Sequence, residues 1–270
     1  MADKIYGIIS IKGGVGKTTC VSNLGTALAK VFNKKVLLVD ANYSAPNLGI
    51  HLGIIEKNIK TIHDVLNGKT KIENAILSTD HGFDFIPADP KGSIKFGSVS
   101  QLKSQLNKIK DNYDLILIDS SPNLNNEILS TMLASDKLLA VSTPDYPTLS
   151  STMHAVKVAK RKKTPILGIV LNRVYDKDFE LSIEDIENAA EVPVLASLPH
   201  EISIMEALSN TTPAVLHTPK SDAVIEYCKL AGSLVGEDYK DPRIFSKIKK
   251  LFGLDSSQTQ KNRESLIKKK

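Results

Sequence analysis

Apolar residues in this chain come in short blocks, separated by stretches where they recur every three or four positions. The block Ile5-Tyr6-Gly7-Ile8-Ile9-Ser10-Ile11 is apolar nearly throughout, as a strand covered on both faces of a parallel sheet must be. From Lys17 onward, Val21, Leu24, Ala27, Leu28 and Val31 repeat at helical spacing. The alternation continues along the chain. It predicts strands at 4–11, 35–40, 83–87, 114–119, 136–142, 165–171 and 193–198. The helices it predicts lie at 17–32, 61–67, 98–110, 125–134, 148–162, 182–190, 201–208 and 220–235. This order predicts an α/β fold: a single doubly wound, mostly parallel sheet with helices on both faces. With 270 residues, one such domain fits better than two small ones.

Between the first strand and the first helix stands Lys12-Gly13-Gly14-Val15-Gly16-Lys17-Thr18-Thr19. It carries the G-K-[ST] end of the pattern G-x-x-x-x-G-K-[ST], departing from the pattern upstream, where the lysine Lys12 stands ahead of the glycines. Glycines let successive backbone N–H groups point into one concavity suited to an anion. Lys17 is placed to reach the β- and γ-phosphates, and the Thr18 hydroxyl to ligate Mg²⁺. The helix N-terminus adds its dipole. Strand, loop and helix therefore predict a nucleoside triphosphate site, with Lys12 a second cation facing outward from its own nest.

In sheets of this kind ligands lie beyond the carboxyl ends of the strands. Val36-Leu37-Leu38-Val39 ends at Asp40, and Leu115-Ile116-Leu117-Ile118 ends at Asp119. A carboxylate closing a buried strand beside a phosphate loop holds Mg²⁺, so Asp119 is assigned to the metal and Asp40 to its water shell. The six histidines are scattered without a ligand pattern. Cys20 and Cys228 lie far apart and read as buried apolar residues of a reduced cytosolic protein. The start reads as having no signal peptide, and no apolar run approaches the roughly 18–20 residues of a spanning helix.

These residues resemble the deviant Walker A ATPases, the group that includes MinD and ParA, over most of residues 3–236. The resemblance implies a P-loop NTPase of the SIMIBI type that hydrolyses ATP with Mg²⁺ and dimerises around two nucleotides. It sends Lys12 to the partner's phosphates, Asn172 to the adenine edge, and the backbone of Pro199-His200-Glu201 to the flank of the base. It also marks 119–126 and 143–152 as switch and interface segments. One departure stands out. Where the family has Asp-x-Asp, this chain has Asp40-Ala41-Asn42. Asn42 can accept a hydrogen bond from the attacking water but cannot take its proton. Turnover is then either ordinary or very slow.

The charge becomes informative once divided. Residues 243–270 hold nine basic and two acidic side chains, +7 in a chain whose total is +5, so residues 1–242 sum to −2. In a helix, Ile244, Phe245, Ile248, Leu251 and Phe252 would share an arc of roughly 120°, with Lys247, Lys249 and Lys250 outside it. That pattern predicts an interfacial helix for anionic lipid, and it resembles the C-terminal membrane-targeting helix of the MinD group. The expected organisation is an ATPase domain at 1–237, a hinge at 238–242, a membrane-targeting helix at 243–254 and a disordered basic tail at 255–270. The expected protein is cytoplasmic and peripheral at the membrane, a MinD-like ATP-dependent homodimer that positions division or polar machinery with an unidentified protein partner. Two alternatives remain: a ParA-type DNA-partitioning ATPase, using a patch at Lys157, Lys160, Arg161, Lys162 and Lys163, and a barely hydrolysing membrane scaffold.

Overall fold

The apolar blocks become strands whose side chains are covered on both faces. Every residue of Ile5–Ile9 (β1), Val36–Ala41 (β2) and Leu115–Ser120 (β5) is buried. The computed structural model describes residues 3–54, 58–94, 99–243 and 257–268. The remaining strands are Leu77–Ser78 (β3), Asp84–Ile86 (β4), Lys137–Ser142 (β6), Ile166–Val174 (β7) and Val194–Pro199 (β8). All eight form one sheet in the order β3-β4-β2-β5-β1-β6-β7-β8. Each pairing is parallel except that of the two-residue edge strand β3 with β4.

Side chains alternate between faces with the strand period of two. Tyr6, Ile8 and Leu38 enter one core with the helices Lys17–Lys30 (α1), Leu48–His51 (α2), Ala214–His217 (α9) and Asp222–Val235 (α10). Ile5, Ile9 and Leu37 enter cores on the other face with Ile62–Leu66 (α3), Gln101–Leu106 (α4), Asn126–Ala134 (α5), Tyr146–Lys162 (α6) and Ile183–Ala190 (α7). Ile202–Ser209 (α8) packs beside α9. The predicted elements stand within a few residues of these bounds, except 98–110. There α4 ends at Leu106 and a 3-10 turn follows at Lys110–Asn112; residue 98 lies outside the described residues. Cys20 and Cys228 are buried and unpaired with each other.

The C-terminal part departs from expectation in two places. Residues 238–242 are pinned to the body: Tyr239 packs edge-on against Phe32, and Arg243 pairs with Asp241 (2.8 Å) and with Asp222. Within the stretch expected to be a disordered tail, Gln258–Ile267 is a helix (α11) docked on β8 and α10. Its contacts explain why its polarity was misleading. Asn262 Nδ2 donates to the Val194 carbonyl (2.9 Å) and to Glu187 (2.6 Å), while Arg263 donates to the Leu195 carbonyl (2.9 Å) and to Glu226 (2.8 Å). The Arg263 side chain is 7% exposed. α11 thus satisfies carbonyls of β8, the strand at the sheet's edge, which would otherwise be open to another strand. The amphipathic run 244–253 lies outside the described residues, between Arg243 and Ser257, both of which hydrogen-bond within the described structure.

Removing one partner of a buried ion pair typically costs about 3–5 kcal/mol, less where the survivor keeps another partner. Glu226 keeps Lys229 at 2.8 Å. Arg263→Ala should therefore lower unfolding free energy by about 2–3 kcal/mol in urea titrations. A change below about 0.5 kcal/mol, the range of ordinary surface substitutions, would mean that α11 is not docked.

Candidate nucleotide-binding site

The loop after β1 needs residues without a Cβ. Gly14 has φ 76° and Gly16 φ 100°, left-handed values that favour glycine. A Cβ on Gly16 would also overlap the Asn172 amide. Gly16 is the N-cap of α1, and its carbonyl accepts from Cys20 N at 2.9 Å, so the helix axis begins inside the loop. Lys17 and Thr18 follow as the first helical residues. Lys17 is buried, and burial pushes its ammonium pKa down, with Asp119 opposing.

Below the loop, Asp40 and Asp119 are register partners on the adjacent strands β2 and β5. Both are buried. Burial pushes the Asp119 carboxyl up to about 6 against the Thr18 hydroxyl and Lys17, which pull it down. Asp40 is raised by burial and by Asp119, while amides of Asn42, Leu48 and Asn47 work the other way. Thr18 Oγ1 donates to Asp119 Oδ2 at 2.7 Å, with Asn47 Oδ1 at 3.1 Å. The other oxygen, Asp119 Oδ1, is buried without a hydrogen-bond partner among the described residues, and so is Asn42 Oδ1. Buried acceptors left open beside a phosphate loop fit a hydrated divalent cation. Thr18 and Asp119 would hold it, with Asp40 through water, and the cation would offset phosphate charge. Among the described residues no cluster of three His, Cys, Asp or Glu side chains suited to a metal occurs, here or elsewhere; the donors of this site are one hydroxyl and two carboxylates.

Asn42 is tied down as well. Its Nδ2 donates to the Ala45 carbonyl at 2.5 Å, which fixes the amide with its oxygen as an open acceptor. The turn it closes is fixed to α5, because Ser44 donates to Glu127 Oε2 at 3.2 Å.

Lys12 does not turn into the loop. Its Nζ reaches Thr148 Oγ1 at 2.6 Å and Asp145 Oδ1 at 3.5 Å, and its side chain stays 42% exposed. Asp145 is the N-cap of α6, accepting from Thr148 N at 2.9 Å. Burial opposes its ionisation, yet bonds from Thr143 and Thr148 and the charge of Lys12 hold its carboxyl below the usual carboxylate range. Sequence reasoning did not single out Asp145. The signal was Asp145-Tyr146-Pro147-Thr148, an N-cap with proline in the first turn, directly after a strand end.

Asn172 stands at the end of β7, where Nδ2 donates to the Val15 carbonyl at 2.8 Å, bracing the phosphate loop. Pro199 closes β8 opposite Val174, and His200 N donates to the Val174 carbonyl at 2.8 Å. The Glu201 carboxylate is committed to α10, accepting from Asp222 N at 2.9 Å. The structure thus brings Lys12–Thr19, Asp40, Asn42, Asp119 and Asn172 together, with 199–201 beside the end of β7. The side chains assigned to lipid, Ile244 to Phe252, are outside the described residues.

Known proteins are similar to this chain in sequence and fold. The profile of a family described as an AAA domain matches residues 3–169. An uncharacterized ATP-binding protein of Methanocaldococcus jannaschii is 34% identical over 254 residues, 91% of this chain and 96% of its own. The septum site-determining protein MinD of Pyrococcus horikoshii, solved with Mg-ADP, has a TM-score of 0.78 at 33% identity, covering 86% of this chain and 95% of that one. The chain belongs to the MinD/ParA family of ATPases. A further member solved as a complex, MinC:MinD of Aquifex aeolicus, has a TM-score of 0.76 at 29% identity over 89% of this chain and 98% of that one. Family members are ATPases, and the P. horikoshii structure with Mg-ADP accords with a phosphate loop above paired carboxylates.

Gly16→Ala combines a strained backbone with a clash against Asn172. Such strain costs on the order of 1–3 kcal/mol, so Mg-ADP affinity should fall about tenfold or more by calorimetry. Unchanged affinity would mean that the loop does not hold phosphate in this conformation.

Proposed function

We propose that this protein is a MinD-like ATPase that dimerises around ATP and Mg²⁺, attaches reversibly to anionic membrane, and positions division or polar machinery. The observation that carries the reading is the placement of Lys12. A cation belonging to the phosphate loop, yet lying outside its nest against the exposed start of α6, is available to a nucleotide held by a second copy. Lys17 and the loop amides take the chain's own phosphates, Thr18 and Asp119 the metal, and Asn172 with 199–201 the base.

Attachment is assigned to 243–254. Each lysine near an anionic surface contributes on the order of 1 kcal/mol, and the apolar residues add a few more. One short helix that must fold on binding is a weak anchor; two joined by ATP gain through effective concentration. No helix among the described residues is long and apolar enough to cross a membrane. Because α11 returns to the body, the segment is best tested in the full chain. Phe245→Glu with Phe252→Glu should reduce ATP-dependent sedimentation with phosphatidylglycerol vesicles at least about tenfold, since each substitution removes an aromatic group from the proposed lipid face and adds a repelled charge. Equal sedimentation, or sedimentation indifferent to ATP, would refute the membrane reading. The DNA alternative has less support: Lys160 is paired with Glu191 at 2.6 Å, and Arg161 and Lys162 sit in the last turn of α6, where cations suit the dipole.

Hydrolysis by the free protein is slow in this reading. Asn42 offers water an acceptor but no base, and its Nδ2 is anchored on the Ala45 carbonyl. Asn42→Asp would set a carboxylate oxygen against the Ala45 carbonyl, costing the turn about 1–3 kcal/mol, while adding the proton acceptor. Single-turnover hydrolysis should quicken despite lower stability. An unchanged rate would show that Asn42 does not limit the chemistry. A protein partner recognising the ATP-bound pair is also proposed, by likeness to the A. aeolicus MinD solved with MinC.

A further inference from the structure

Past Asn42 the chain crosses the surface as Ser44, Ala45 and Pro46, with Ser44 and Ala45 exposed. The ends of this turn are secured from below. Asn42 N and Leu48 N both donate to Asp40, at 3.1 Å each, and Tyr43 is buried with its ring edge-on to His63. The tip is secured from the side. Among the described residues, the hydrogen bonds that tie 44–46 to another element are those of Ser44, whose N–H (3.4 Å) and hydroxyl (3.2 Å) both donate to Glu127 Oε2. The tip matters because the Ala45 carbonyl holds the Asn42 amide.

The group that fastens it is a buried carboxylate. Glu127 is 8% exposed and makes no ion pair among the described residues, so its charge has left water with only Ser44 to bond it. Burying a charge is costly unless it is bonded, and bonds to an ionised acceptor are stronger than neutral ones. Its place in the first turn of α5 offsets part of the cost, since the helix dipole favours an anion there. The backbone of Glu127 is fixed as well: Asn125 Oδ1 accepts from Glu127 N at 3.0 Å and from the Ser121 hydroxyl at 3.2 Å. Ser121 follows closely on Asp119. A chain of held groups therefore runs from the end of β5, through Glu127, to the turn that follows β2.

We propose that Glu127 is a positioning residue for hydrolysis: through Ser44 and Ala45 it fixes the turn that aims the Asn42 oxygen at the attacking water. The inference rests on the reading that Asn42 orients that water, and adds the group that fixes Asn42. It is tested by single-turnover ATP hydrolysis of the full chain, at protein and Mg-ATP concentrations where the parent rate no longer rises, together with ATP affinity. Glu127→Ala should slow hydrolysis about tenfold or more while ATP affinity stays within about twofold, since small misplacements of a positioning group act on rate. Glu127→Gln keeps an oxygen for Ser44 and should recover most of the rate. Ser44 is exposed, so Ser44→Ala leaves the core intact; it should slow the step about threefold, the value of one ordinary hydrogen bond. In an Asn42→Ala background, itself slower than the parent, Glu127→Ala should change the rate by less than about twofold, because the two act through one group. Parental rates in Glu127→Ala or Ser44→Ala, with Asn42→Ala slow, would overturn the inference alone. So would a fall in rate matched by a fall in ATP affinity, or the full Glu127→Ala effect in the Asn42→Ala background. Asn42→Ala at the parental rate would overturn the Asn42 reading and this inference together.

Discussion

Two carboxylates sit side by side at the ends of adjacent buried strands, and the site is organised around that adjacency. Parallel strands lie about 4.8 Å apart, and two unit charges at about that distance repel by roughly 3 kcal/mol even at an effective dielectric of 20. Asp40 and Asp119 are held there by register, not by choice of rotamer. A phosphate loop with one buried lysine and one hydroxyl offsets part of the cost. The rest is left as an Asp119 oxygen without a hydrogen-bond partner among the described residues and as raised carboxyl pKa values, Asp119 through burial and Asp40 through burial and the Asp119 charge. Those are the marks of a site shaped for a cation that arrives with its ligand.

The same arrangement separates the two lysines of the loop. Lys17 is buried near Asp119, whereas Lys12 is displaced to the start of α6. That displacement gives the surface around α6 its character. The N-cap that holds Lys12, Asp145, lines one hollow with it. In the proposed function a ligand bound below the loop is read out there, by a second copy. The C-terminal part serves a different end: α11 closes the edge of the sheet, and the lipid-assigned run lies in sequence between Arg243, which pairs with Asp222, and the N-cap of α11.

Elements whose identity depends on neighbours in sequence were legible from the chain alone. Buried parallel strands read as continuous apolar runs, and long amphipathic helices keep their period, so seven strands and seven helices were anticipated near their bounds. Single turns such as Leu48–His51 and Ala214–His217 are too short to show a period. Helix α11 was misread because its docking is polar: Asn262 and Arg263 find carbonyls and carboxylates some seventy and forty residues away, and no local pattern announces them. In the site, the phosphate loop and the strand-end carboxylates were visible as motifs. Asp145 was not, since its importance comes from Lys12, which meets it only in three dimensions. Asn42 was recognised as a departure, but its bond to Ala45 needed coordinates.

The central claim is that the buried pair exists to receive a metal-bound triphosphate. It is tested most directly by measuring ATP affinity with Mg²⁺ and with EDTA, in the parent and in Asp119→Asn. The account predicts that Mg²⁺ strengthens binding to the parent by about tenfold or more, since a partner lost from a charged hydrogen-bonded site is worth on the order of 1.5–3 kcal/mol, and that the substitution removes most of this gain. A parent indifferent to Mg²⁺, or an Asp119→Asn protein with the full metal dependence, would contradict it.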